Sequence, residues 1–90
     1  MNYDSEEIVE FILERFTEGE KENDILEELV ENYEIDEVNG KHAVAMVLEG
    51  FKRAGKIHAG EELPKSKFEN DEFFKIAVKL GLEEFRKRDK

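Results

Sequence analysis

Val44, Val47, Leu48 and Phe51 recur at the spacing of one helical face, within a stretch from Asp36 to His58 that constrains everything around it. Gly55 follows the last periodic turn, and the β-branched Ile57 comes soon after. This pattern predicts a helix over Lys41 to Ala54, a stop, and a strand over Lys56-Ile57-His58. Two shorter amphipathic segments precede it and one long apolar segment follows. The stretch therefore reads as the third helix of a small tri-helical domain.

The first segment predicts a helix from about Ser5 to Thr17. Asp4 and Glu7 form a capping-box pattern, Ile8, Ile12, Leu13 and Phe16 share a face with Val9 and Phe11 beside them, and Gly19 ends the run. Glu14 and Glu18 lie toward the end of that helix where its dipole disfavours negative charge. The second segment predicts a helix from about Asp24 to Tyr33, with Ile25, Leu26, Leu29, Val30 and Tyr33 inward and Glu27, Glu28, Glu31 and Asn32 outward. Ile35 to Gly40 is the expected connector, with Asn39-Gly40 as its turn. A calcium loop is excluded there, because the first ligand position holds Ile35.

After Gly55, the strand at 56–58, a tight turn at Ala59-Gly60 and a return strand from Glu61 to Lys65, edged by Pro64, predict a β-hairpin. A last helix is expected after Ser66 or Asn70, running to about Lys87. Phe73, Phe74, Ile76, Ala77, Val78, Leu80, Leu82 and Phe85 cover most of its circumference. That is more apolar surface than a helix on so small a domain normally needs. It points to a homodimer through Phe73, Phe74, Ala77, Leu80, Gly81 and Phe85, with closure of the single core as the alternative. The basic tail Arg86 to Lys90 suits a helix C-terminus. No Pro, Gly or Ser-rich linker divides the chain, so residues 1–65 and the added helix at 66–90 are read as one domain.

Ile8 to Phe16, Ile25 to Tyr33 and Val44 to Ile57, closing with F-K-R-A-G-K-I, resemble the winged-helix pattern of the helix-turn-helix superfamily. The resemblance implies a mainly α, tri-helical winged-helix-like fold whose hairpin is the wing, with the last helix added. Residues 17–57, through T-E-G-E-K, I-L-E-E-L-V-E-N-Y-E-I-D and V-A-M-V-L-E-G-F-K-R-A-G-K-I, are also similar, more weakly, to the PqqD-like peptide-binding family. Members of that family present a leader peptide to a modifying enzyme. The similarity places Tyr33, Ile35 and Asp36 at the end of helix two and Val44, Leu48, Phe51 and Gly55 along helix three.

Composition narrows the function classes. Cysteine is absent, which removes disulfides, thiolate nucleophiles and thiolate metal sites. His42 and His58 are the only imidazoles, and sixteen residues of intact helix would part them by roughly 24 Å. They cannot share a metal, no nucleophile, base and orienting group assemble, and the glycines form no phosphate loop. The expectation is a non-enzymatic protein without cofactor or metal. No apolar run reaches the length of a membrane span and no secretory start is present, so a cytoplasmic protein without membrane contact is expected. Charged residues make up 42% of the chain, with Gln, Trp and Cys absent, a balance also found in thermophilic proteins.

The net charge of −10 is unevenly spread. Residues 1–38 hold fifteen acidic side chains against Arg15 and Lys21, whereas the rest of the chain carries a small positive excess. An acidic front half favours basic partners and repels phosphate. On the presumed outer face of helix three, His42, Ala45, Met46, Glu49, Lys52 and Arg53 suit another protein surface better than base edges. The leading expectation is a small acidic adaptor, regulator or inhibitor that binds a basic protein, including one that handles nucleic acid. The alternative is a DNA-binding regulator reading DNA with residues 41–54, with Lys41, His42, Lys52, Arg53 and Lys56 on phosphates.

Overall fold

A computed structural model describes residues 4–88 in four helices. Asp4 accepts from the Glu6 backbone N–H at 3.1 Å and opens α1, Ser5–Thr17. Gly19, at φ +93°, turns the chain into α2, Glu22–Tyr33. The two run antiparallel: the Phe11 and Tyr33 rings meet edge to face at 5.3 Å, and Arg15 Nε lies 3.2 Å from Glu28 Oε1. Residues 34–36 then lead into α3, Glu37–His58, and the last helix is α4, Glu72–Arg88. Asp89 and Lys90 of the basic tail lie outside the described residues.

α3 begins four residues earlier than its periodicity predicts. The Asp36 carboxylate accepts from the Asn39 backbone N–H at 3.1 Å, so the expected Asn39-Gly40 turn is the first turn of the helix. Gly40 is helical and buried because α2 presses on it: a Cβ there would lie 2.9 Å from Leu26 Cδ1. At the other end, the expected strand over Lys56-Ile57-His58 is the last turn of α3. The Ala59 N–H donates to the Gly55 carbonyl and the chain leaves the helix only at Gly60, φ +86°. Helical continuity through Gly55 overrides the β preference of Ile57, which stays 41% exposed.

The winged-helix-like expectation is corrected accordingly. The described residues contain no strand, hence no β-hairpin wing; the fold is all α. The segment assigned to the wing has another task. Along α3 and α4, His42 meets Asp71, Gly50 meets Ala77, Ala54 meets Gly81 and His58 stacks on Phe85, so the helices run in the same direction. A tight turn joins only antiparallel neighbours. Residues 59–71 must instead carry the chain back past roughly 24 Å of helix, well within the roughly 40 Å they can span when extended. Arg53 Nη2 donates to the Pro64 carbonyl at 2.5 Å and fastens this return segment to α3.

Ile8, Val9 and Ile12 of α1, Ile25 and Leu29 of α2, Val44 and Val47 of α3 and Ala77 of α4 form one continuous core with Ile35. α4 packs on α3 and α1 but does not reach α2. Phe74, Ala77 and Gly81 of the proposed dimer surface are buried, Phe73, Leu80 and Phe85 half-buried, all within this one chain. Because α4 covers the side of α3 that carries Gly50, Met46 one turn earlier is only 6% exposed, not on an outer face.

Candidate protein-interaction site

The concavity of most defined chemistry lies between the C-terminal halves of α1 and α4. α1 contributes Glu10, Leu13, Glu14 and Thr17; α4 contributes Leu80, Glu83, Glu84 and Lys87. Both sets follow the same i, i+3, i+4, i+7 spacing, which puts four residues of one helical face on each wall. The helices lie side by side in the same sense, tied near their N-termini where Ser5 Oγ donates to Glu72 at 2.9 Å. The floor is Phe51 of α3, held between Phe16, edge to face at 5.8 Å, and Phe85, stacked at 5.2 Å. With Leu13 and Leu80 beside it, the floor is apolar and the rim is not. The cleft measures about 410 Å³.

Four carboxylates and one cation, Lys87, line this rim. Glu14 pairs with Arg15 at 2.6 Å and Glu84 with Arg88 at 3.6 Å, while Glu10 and Glu83 are exposed. α1 ends at Thr17 and α4 at Arg88, and at the α4 end Arg86, Lys87 and Arg88 offset the helix dipole. The Glu14 carboxylate, poorly placed for its own helix, is well placed for this rim.

The neighbouring α1–α2 edge is acidic enough to perturb its own groups. Arg15 lies against Glu14, Glu20 and Glu28 and over the Phe11 ring, 4.4 Å from its centroid. The hydrogen bond to Glu28 raises the Arg15 guanidinium pKa further. Glu20 is pushed up and Glu28 down, each chiefly by the other's neighbouring carboxyl. Burial, then the Glu7 charge, pushes the Tyr33 phenol up. Arg15, one of two cations in the first 38 residues, is therefore committed internally.

The residues expected to form a partner face on α3 are dispersed. His42 Nε2 sits 2.6 Å from Asp71 Oδ2, and Asp71 in turn accepts from the Phe74 N–H to cap α4. Ala45 is exposed beside Glu22, Asn23, Leu26 and Lys41, Met46 is buried, and Glu49 pairs with Lys52 at 3.9 Å. Among the residues considered for DNA, Lys41 pairs with Glu37 at 3.7 Å, Arg53 holds Pro64, and Lys56 is exposed on the last turn. Lys41 and His42 thus stand at one end of α3, and Lys52, Arg53 and Lys56 at the other.

Sequence reasoning missed Glu10, Leu13, Leu80, Glu83 and Glu84 as a set. A signal was present: E-x-x-L-E-x-x-T at 10–17 and L-x-x-E-E-x-x-K at 80–87 share one spacing. What the sequence withheld was the parallel placement of α1 and α4.

Compared with known proteins, the chain matches no family model, no curated protein and no solved structure. Among the described residues, no helix is long and apolar enough to cross a membrane.

Proposed function

We propose that this chain is a small acidic, non-enzymatic binding module, an adaptor, regulator or inhibitor that receives a basic protein surface. The observation that carries this reading is the segregation of charge in the fold. α1 and α2 expose carboxylates along their outer faces, and their one cation, Arg15, is engaged by three glutamates. Such a surface attracts a basic partner and speeds its encounter.

DNA binding through Lys41, His42, Lys52, Arg53 and Lys56 is supported less. A recognition helix needs one long face free to enter the major groove. Here α4 lies along α3 through Ala77 and Gly81, and the basic side chains split between its two ends. Fluorescence anisotropy of a labelled random-sequence duplex, titrated at low salt and across a salt series, decides between the two. No rise up to high micromolar protein is expected; a salt-sensitive rise in the range of non-specific binders, about 10⁻⁴–10⁻⁶ M at physiological salt, overturns the protein-binding reading.

A further inference from the structure

We infer that the cleft between α1 and α4 is a docking groove for a basic amphipathic helix of a protein partner, a conclusion that rests on the protein-binding reading above and gives it a place. The groove offers a narrow apolar floor of half-buried Phe51 and Leu80, with Leu13 buried behind them, between walls rimmed by Glu10, Glu14, Glu83 and Glu84. A partner must supply the complement of both features. Apolar side chains displace water from the floor, and Lys or Arg on either side meets the rim. An acidic or neutral segment would leave Glu10 and Glu83, the two rim carboxylates not paired with Arg15 or Arg88, partly desolvated without a new counter-charge, which is unfavourable.

The walls also select the partner's conformation. Each presents residues at i, i+3, i+4 and i+7 of a helix, so the ridges along the groove repeat at about 5.4 Å, the pitch of a third helix laid between them. The described residues offer no sheet edge to which an extended peptide could add. A groove of about 410 Å³ whose exposed floor is Phe51 and Leu80 takes one or two apolar anchors from one face of such a helix, with the rim left to its cationic side chains.

The test uses the full chain and a fluorescein-labelled amphipathic peptide of Leu and Lys, with apolar residues at helical spacing, against a scrambled peptide of the same composition. Glu10→Lys with Glu83→Lys reverses charge on both walls at exposed positions. Glu27→Lys with Glu31→Lys makes the same charge change on the exposed face of α2. The expected result is a loss of at least about tenfold in affinity for the wall variant, within threefold of wild type for the α2 variant, and at least about tenfold weaker binding of the scrambled peptide; tenfold corresponds to about 1.4 kcal/mol. Equal losses in both variants overturn the groove, because the acidic half then acts as a diffuse field, although the protein-binding reading survives. Absence of peptide binding to wild type also overturns it. Sedimentation of the protein alone supplies the last control: self-association that the wall variant abolishes makes the occupant a second copy of this chain and overturns the proposal. Duplex binding in the salt series would remove the underlying reading independently of any of these outcomes.

Discussion

Gly50 of α3 faces Ala77 of α4 so closely that a Cβ added to the glycine would lie 2.6 Å from the Ala77 Cβ and 2.8 Å from the Phe74 carbonyl oxygen. One turn further along, the roles exchange: a Cβ on Gly81 would lie 2.8 Å from the Ala54 Cβ. This interlocked pair of small residues on each helix lets α3 and α4 run parallel in direct backbone contact. The same contact fixes where α4 stands beside α1, and hence the walls of the cleft.

Gly50→Ala is expected to destabilise the fold although Ala is the better helix former. The propensity gain is about 1 kcal/mol, whereas overpacking against a backbone carbonyl that cannot yield costs about 1–3 kcal/mol. Gly55→Ala is the control, since its Cβ would meet only the Phe85 ring at 3.4 Å. Urea denaturation should show a lower midpoint for Gly50→Ala and an equal or higher one for Gly55→Ala.

Met46→Ala tests which side of α3 is covered. Truncating this buried side chain is expected to remove about 2–3 kcal/mol of stability. Ala45→Lys, at the exposed adjacent position, should stay within about 0.5 kcal/mol of wild type. Equal small effects at both positions, measured by chemical denaturation, would place Met46 on an open face and contradict the packing of α4.

Glu34 ends α2 in the left-handed region at φ 53°, the described non-glycine residue with positive φ. A side chain there is strained by about 1 kcal/mol relative to glycine. Glu34→Gly is expected to raise the thermal midpoint by a few degrees, with far-UV circular dichroism unchanged.

Asp36 gives a pH-dependent prediction. The Asn39 backbone N–H, and then its side chain, holds the Asp36 carboxyl below its ordinary value of 3.8. A depressed carboxyl pKa adds stability that is fully present above the unfolded value and is lost as pH falls through the lower folded value. Asp36→Ala should therefore lower the denaturation midpoint at neutral pH, and the gap from wild type should narrow as the pH is taken below about 3.8. A gap that stays constant into that range would show that the cap contributes nothing through its charge.

Local pattern alone determined much of this protein. Ile8, Ile12, Ile25, Leu29, Val44 and Val47 declare their helices and their inward faces, because a helix must bury a stripe that repeats every 3.6 residues. The acidic front half is likewise a property of composition. Glycine was where local reading failed. Gly40 and Gly55 are turn signals in isolation, yet both are helical: Leu26 of α2 crowds the space a side chain on Gly40 would need, whereas a Cβ on Gly55 would only touch the Phe85 ring. Ile57 read as strand on its local β preference, which is worth less than an unbroken helix. Only tertiary contact decided that α4 returns parallel to α3 and closes this chain's own core, burying Met46 and assembling Leu13, Phe51 and Leu80 between two acidic walls. Those residues lie far apart in sequence, and amphipathic spacing states which side of a helix is buried but not which neighbour buries it, or in which direction that neighbour runs.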